Sequence, residues 1–289
     1  GSLQIFFCLI YSPDMTDDTI KAAAQTSGEP LNIEAADPKT VEILKEMISA
    51  GVLYGHKKSK THPRMRPFIF ATRNGLELFD LNATVEAMEK AKEAVRNKIK
   101  AGATILFVAT QAEAREAVEE LAKKIGFPRV TNRWLGGTLT NFKTLSKRID
   151  YMKKLRADKE SGQLEKYTKK ERVVLSRELD KLSLIFTGLE TMAKIPDLVV
   201  IINVNKHATA LREARRLKIP VVAVLNSDVN PESVEYPVPG NDVSRSAISW
   251  FLRNLESAIE EGRREVGASA GQSAGAAEKT AVAQQTVNG

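Results

Sequence analysis

The chain has 289 residues, is 43% hydrophobic and 27% charged, and carries a formal net charge of +7. This length allows about two domains, and this composition supports a buried core. The single cysteine, Cys8, excludes a disulfide framework and a cysteine-based zinc site. The longest apolar run, residues 5–11, is far shorter than the roughly 20 residues that cross a bilayer. We therefore expect an intracellular globular protein that does not enter a membrane.

Residues 1–37 form an N-terminal extension, of which residues 15–37 have weak hydrophobic periodicity and contain the turn signal Ser27-Gly28-Glu29-Pro30. We predict that these residues form a disordered extension. Met15 has the sequence context of a natural start, so residues 1–14 are expected to lie outside the native fold. An amphipathic anchor or an added edge strand is the alternative for residues 1–14.

Apolar runs of strand length then alternate with helical patterns. The strand runs cover residues 68–71, 76–81, 104–109, 198–204 and 221–225. The helical patterns cover residues 41–49, 84–100, 112–125, 207–217 and 243–261. The last two strand runs are rich in Val and Ile, which is typical of parallel strands buried on both faces. The alternation predicts a doubly wound, mostly parallel, Rossmann-like α/β sheet in residues 38–137 and 188–261.

Residues 138–187 interrupt this alternation with two helical seams. In the first seam apolar residues recur at spacings of four, three and three, and in the second at four, three and four. The seams consist of Leu145, Ile149, Met152 and Leu155, and of Leu175, Leu179, Leu182 and Phe186. This spacing predicts an inserted antiparallel helical hairpin that packs as a short coiled coil.

The C-terminal residues 262–289 consist mainly of Ala, Gly, Ser, Gln and Thr, with almost no large apolar side chain. Such a segment buries too little surface to offset the loss of conformational entropy on ordering. We predict a disordered tail.

Positive charge is concentrated in two blocks. Residues 51–75 contain six bases and no acid, and residues 129–156 contain eight bases and one acid. The net positive charge of the two blocks together exceeds the net charge of the whole chain, so the rest of the chain is net negative. Positive charge concentrated in this way indicates phosphate binding. Trp134 is predicted either to stack on a splayed base or to be a core tryptophan that anchors the hairpin to the sheet. The candidate RNA contacts are Lys57, Lys58, Lys60, Arg64, Arg66, Arg73, Arg133, Trp134, Lys143, Lys147 and Arg148.

Other chemistry has little support in the sequence. No G-x-G-x-x-G or Walker pattern occurs, and the turn after residues 104–109 has no glycine, so we predict no cofactor. His56 with Asp228 or Asp242 is a candidate metal site, although turn and capping roles are favoured for both aspartates. No nucleophile-elbow pattern supports a catalytic triad. We therefore predict no catalytic residue and no metal.

Four motifs carry a resemblance to a known family. They are residues 133–141 (Arg-Trp-Leu-Gly-Gly-Thr-Leu-Thr-Asn), Tyr54-Gly55-His56, Arg73-Asn74-Gly75 and residues 236–242 (Tyr-Pro-Val-Pro-Gly-Asn-Asp). In order and approximate spacing they resemble the bacterial-type small-subunit ribosomal protein two family, over about residues 37–261. The chain differs from the family's common pattern at Tyr54, Ala83, Ala109, Gln111 and Asn132, so Ala83 and Gln111 are not candidate contacts.

The resemblance implies a structural constituent of the small ribosomal subunit that takes part in translation. It implies binding to small-subunit rRNA and to neighbouring ribosomal proteins, and help in docking ribosomal protein one where an organism has it. It also implies a cytoplasmic location on the ribosome and no small-molecule substrate. An α/β enzyme or nucleotide-binding protein that acts on an anionic substrate remains the alternative.

Overall fold

This computed structural model describes the backbone of residues 38–285 and the side chains of residues 41–164 and 166–266. The described residues fall into two units, 38–46 and 47–285. The predictions for residues 1–37 lie outside the described residues. The first described element is α1 (Pro38–Ala50). Over residues 38–285, no helix is both long and apolar enough to cross a membrane.

A small antiparallel sheet follows α1. Its described strands are β1 (Tyr54–Lys57), β2 (Ile69–Arg73) and β3 (Leu76–Phe79), in the order β1-β3-β2. The alternating pattern assigns the runs at 68–71 and 76–81 to the main sheet, and this assignment is wrong. Asn74 and Gly75 have φ angles of 50° and 75°, as a two-residue hairpin turn requires. So short a connection joins antiparallel strands and leaves no room for a crossover helix.

The main sheet of the described chain is parallel throughout. Its strands are β4 (Ile105–Val108), β5 (Arg129–Val130), β6 (Leu198–Ile202), β7 (Val221–Leu225) and β8 (Tyr236–Pro239), in the order β5-β4-β6-β7-β8. The order reverses at β4, which is the switch point of a doubly wound fold. The predicted fold class is therefore confirmed. The short β5 was not predicted, nor was β8, whose two prolines are tolerated at an edge.

Helices cover both faces of this sheet. They are α2 (Leu81–Lys100), α3 (Ala112–Ile125), α4 (Phe142–Glu160), α5 (Lys169–Phe186), α6 (Ala208–Arg216) and α7 (Arg245–Gln285). Helices α2 and α3 both pack against α7. On the opposite face, Leu106, Val199 and Ala223 join one hydrophobic cluster with Leu211 of α6 and Ile149 of α4. Alternate strand residues are buried as well, because successive side chains of a strand point to opposite faces.

Helices α4 and α5 form the predicted hairpin and pack against each other. All four predicted residues of the first seam are buried, as are Leu179 and Phe186 of the second. A capping box between Thr168 and Glu171 begins α5, which satisfies backbone N–H groups that the first turn leaves free. The buried side chains of the hairpin and of the sheet form one continuous cluster, so the hairpin shares the core of the α/β unit.

Helix α7 continues beyond residue 261, where the sequence predicts disorder. Gly262 is buried against α2, and a Cβ atom added there would lie 3.0 Å from Ile99 Cγ2. Arg263 donates to the Ile125 carbonyl at 2.7 Å and lies over the Phe127 ring. The predicted start of a disordered tail at residue 262 is therefore wrong. The prediction failed because it counted only large apolar side chains. Here the small Gly262 permits close packing of α7 on α2, and Arg263 contacts Ile125 and Phe127. Alanine, which is frequent in this segment, favours helix.

Candidate nucleic-acid interface

The glycine-containing loop at residues 133–141 is held by one buried acid, Glu213 of α6, which is 8% exposed. Its carboxylate accepts hydrogen bonds from the Trp134 indole N–H at 3.1 Å and from the backbone N–H groups of Gly137 and Leu139 at 2.9 and 3.0 Å. The backbone N–H and the hydroxyl of Thr140 donate to the same carboxylate at 3.3 and 3.4 Å. The loop is therefore wrapped around a single anionic group.

The backbone conformation of this loop directs N–H groups at Glu213 and thereby stabilises its ionised carboxylate. Gly137 has a φ of +89°, a left-handed conformation that residues with a side chain rarely adopt. This conformation belongs to the turn in which successive N–H groups meet one carboxylate. Burial alone raises the pKa of the Glu213 carboxyl, but the N–H donors of the loop outweigh burial and hold that pKa below its ordinary value. Glu213 is therefore ionised at neutral pH.

Several predicted contacts surround this loop and face solvent. Arg133 is exposed, as are Lys143, Lys147 and Arg148 in the first two turns of α4. Lys143 and Lys147 are one turn apart and lie on the same helix face. None of these four bases forms an ion pair with a residue whose side chain is described. Their charge is available to an external anion.

Trp134 is half-buried and packs against the hydrophobic cluster of the hairpin and sheet. Its only polar atom donates to Glu213. These two contacts match the anchoring role that the sequence left open, because the indole body lies against the core and its N–H finds a partner. Stacking of Trp134 on an RNA base stays a prediction.

The first basic block forms a second exposed surface. Lys57, Lys58, Lys60 and Arg66 are exposed and form no ion pair within the described residues. Arg64 is also exposed, but its guanidinium pairs with Glu232. The Glu232 carboxylate offsets part of the Arg64 charge, which local sequence does not reveal. Arg73 is exposed at the end of β2.

Backbone hydrogen bonds attach this block to the main sheet. The His56 N–H donates to Asn226 Oδ1 and Ser227 Oγ, both at 3.1 Å, and the His62 N–H donates to the Ser227 carbonyl at 2.8 Å. Asn226 follows the carboxyl end of β7, while the loop at 133–141 follows the carboxyl end of β5. Three strand spacings separate β5 from β7, which is about 14 Å. The fold thus brings the two basic blocks to the same end of the sheet, where its strands have their carboxyl ends; we call this end the carboxyl edge of the sheet.

The candidate metal ligands His56, Asp228 and Asp242 each contact other protein groups. His56 Nε2 lies 3.8 Å from Asp228 Oδ2, and Asp228 also accepts from Asn205 at 2.7 Å. Asp242 is 1% exposed and accepts from Asn226 Nδ2 at 2.8 Å. In the part of the chain that the structure describes, no three or more His, Cys, Asp or Glu residues are grouped to hold a metal ion.

The switch point of the sheet, where nucleotides bind in many doubly wound proteins, contains a hydrogen-bonded histidine. His207 is 2% exposed, and its Nε2 accepts from the Thr110 N–H at 3.1 Å. Its Nδ1 lies 2.8 Å from the Asn203 carbonyl. Because Nε2 accepts from an N–H, the proton of the neutral ring is on Nδ1 and donates to Asn203. Burial lowers the pKa of the His207 imidazole, which favours this neutral form.

We expect the free energy of unfolding to rise with pH between about 5 and 7 because of His207. A histidine with a depressed folded-state pKa binds a proton more readily in the unfolded chain, so acidification below about pH 6.5 destabilises the fold. Urea unfolding across this range measures the slope. His207→Asn removes the slope, while the control His62→Asn retains it. A pH-independent wild type contradicts the assignment.

An α/β scaffold with solvent-facing bases at one sheet edge defines a protein suited to holding a polyanion. Comparison of the sequence with known proteins identifies the family. A family model described as Ribosomal protein S2 matches residues 47–262. The chain is 43% identical over 225 residues to small ribosomal subunit protein uS2 of Corynebacterium efficiens, covering 78% of this chain and 82% of that protein. It is 40% identical over 221 residues to the uS2 protein of Dictyoglomus thermophilum, covering 76% and 90% respectively.

The chain therefore belongs to the ribosomal protein S2 family, and the resemblance of its motifs is confirmed. This is a family of ribosomal proteins and not of enzymes. The alternative interpretation as an α/β enzyme or nucleotide-binding protein receives no support from the comparisons.

Glu213 is the main residue of the candidate site that sequence reasoning missed. It is the only acid in residues 205–218, which contain five bases, and that isolation was the available signal. A single acid within a basic segment suggests a specific partner for that acid. Its partner here is the loop that begins 80 residues earlier at Arg133, by sequence numbering.

Proposed function

We propose that this chain is a structural constituent of the small ribosomal subunit that holds small-subunit rRNA at the carboxyl edge of its parallel sheet. The observation that carries the proposal is a set of exposed bases at that edge that form no ion pair within the described residues, in a chain of the ribosomal protein S2 family. These bases are Lys57, Lys58, Lys60, Arg66, Arg133, Lys143, Lys147 and Arg148. Its expected location is the cytoplasm, on the ribosome. The proposed role requires neither a cofactor nor a small-molecule substrate.

The bases act by replacing counterions on the RNA backbone. Each Lys or Arg that meets a phosphate releases a condensed cation, which favours binding and makes the affinity depend on salt. Contacts of this kind fix the position and orientation of the protein without reading sequence. Helix α4 begins directly after the loop, so Lys143, Lys147 and Arg148 in its first two turns lie beside that loop.

Neighbouring ribosomal proteins are the second class of proposed partner. Val173, Val174 and Leu184 of α5 are 45%, 55% and 64% exposed. Val173 and Val174 lie near the start of α5 and Leu184 lies near its end, so they offer two separate apolar points of contact to a protein. Docking of ribosomal protein one belongs to this proposal and is supported by the family resemblance alone.

Sedimentation of a cell lysate that contains the tagged full-length chain tests the proposal. We expect the chain to migrate with small subunits and to remain there at physiological salt, because many phosphate contacts act together. The tag alone and a tagged unrelated basic protein serve as controls. A chain that stays at the top of the gradient with free proteins contradicts the proposed function.

A further inference from the structure

A third basic segment lies beside the glycine-containing loop, outside the two blocks that the charge pattern identifies. Residues 205–218 contain Lys206, Arg212, Arg215, Arg216 and Lys218 and a single acid, Glu213. The carboxylate of Glu213 is occupied by the loop at 133–141, and none of the five bases forms an ion pair with any residue whose side chain is described. The bases are exposed. This segment therefore presents positive charge to solvent.

Two of these bases meet the loop in an open cleft. Arg212 and Arg216 lie one turn apart on α6 and line a cleft of about 210 Å³ together with Thr140, Thr209 and Glu213. The cleft is open to solvent, so a phosphate group can enter it without losing its whole hydration shell.

The geometry of the cleft favours an anion. Arg212 Nη2 donates to the Thr209 hydroxyl at 3.3 Å, and its Nε donates to the Ala208 carbonyl at 3.3 Å, so the guanidinium is oriented before a ligand arrives. The two positive charges of the guanidinium groups exceed the single negative charge of the buried Glu213 carboxylate. The oxygens of that carboxylate already accept five hydrogen bonds. Arginine is the preferred partner for phosphate because its planar fork donates two parallel hydrogen bonds.

We propose that this cleft binds one phosphodiester group of the rRNA backbone, through the guanidinium groups of Arg212 and Arg216 and the hydroxyl of Thr209, whose oxygen accepts from Arg212 and whose proton is left to donate. The site extends the basic edge of the sheet onto α6, and it rests on the proposed rRNA-binding function. Glu213 has a positioning role, because it holds Thr140 and the rest of the loop against one side of the cleft.

The test is binding of the full chain to transcribed small-subunit rRNA in a filter assay between about 0.05 and 0.2 M salt. The cleft variant is Arg212→Ala with Arg216→Ala, and the matched control is Arg215→Ala with Lys218→Ala. Both remove two positive charges from the same segment. For the cleft variant we expect affinity to fall about tenfold to a hundredfold. Its salt slope should decrease by about 0.7 to 0.9, the value of one phosphate contact.

The outcomes separate this inference from the proposed function. A wild-type chain that does not bind rRNA overturns both. A wild-type chain that binds, with equal losses in the cleft and control variants, overturns only the cleft. Titration with inorganic phosphate alone forms a second arm, in which we expect weak binding that disappears at physiological salt. Saturable, salt-resistant phosphate binding that the cleft variant loses overturns the assignment to RNA. Both variants should retain the wild-type unfolding midpoint, since all four side chains are exposed.

Discussion

Replacing Lys57, Lys58, Lys60 and Arg66 by alanine is expected to weaken rRNA binding and to flatten its dependence on salt. These four side chains are exposed and have no ion-pair partner within the described residues. Each lost phosphate contact lowers the slope of log affinity against log salt by up to about 0.9, so four contacts lower it by up to about 3.6. Filter binding of the full chain to transcribed small-subunit rRNA over a range of salt concentrations measures the change.

Two controls distinguish a phosphate surface from a general loss of charge. The first replaces Lys90 of α2 and Arg253 of α7, two exposed bases that form no ion pair within the described residues, and its change of slope is compared with that of the loop variant per charge removed. The second is Arg64→Ala, where the Glu232 partner reduces the charge available to RNA. We expect a small change of slope in both controls. Equal flattening by the first control and by the loop variant contradicts a localised contact surface.

Glu213→Ala is expected to lower the free energy of unfolding by about 3 kcal/mol or more, because several N–H donors lose their acceptor at a cost of about 1 kcal/mol each. The Trp134 indole and the Gly137 and Leu139 amides are the principal donors. The same change should weaken rRNA binding, since the loop carrying Arg133 loses its attachment to α6. Urea denaturation and filter binding measure the two effects.

The control for this prediction is Glu116→Ala on the exposed face of α3, which should change stability by no more than about 0.5 kcal/mol. The pH dependence gives a second check. The folded-state pKa of Glu213 is depressed, so its stabilisation is present above about pH 4.3 and is lost as pH falls through the folded-state value. The difference between wild type and Glu213→Ala should therefore shrink on acidification. A neutral-pH difference below about 1 kcal/mol contradicts the central role of Glu213.

Parts of this fold follow from sequence because burial imposes a local pattern. The continuous Val and Ile run of β7 and the heptad-like seam of α4 are both buried as predicted. The hairpin between β2 and β3 was also predictable in principle, since Asn74-Gly75 is a strong turn signal. It was misassigned because apolar alternation alone does not distinguish a hairpin strand from a strand of the main sheet.

The sequence was sufficient to predict the positive charge of the candidate site, but not which of its residues contact each other in the fold. The two basic blocks are evident in the sequence, but Arg64 is partly neutralised by Glu232, a residue distant in the chain. The contact between Gly137 and Glu213 spans 76 residues, and no local pattern indicates which loop an isolated acid will reach. Arg212 and Arg216 become part of a cleft only because α6 packs beside that loop. Each of these features depends on tertiary packing.

Mapping protein–RNA crosslinks in small subunits that contain the full-length chain tests most directly the claim that one edge of the sheet binds rRNA. We predict that ultraviolet crosslinks, located by mass spectrometry, fall on residues 57–66, on residues 133–148 and on α6. The exposed faces of α2 and α3 should remain unmodified. Crosslinks concentrated on α2 and α3, with none at the basic edge, would contradict the account.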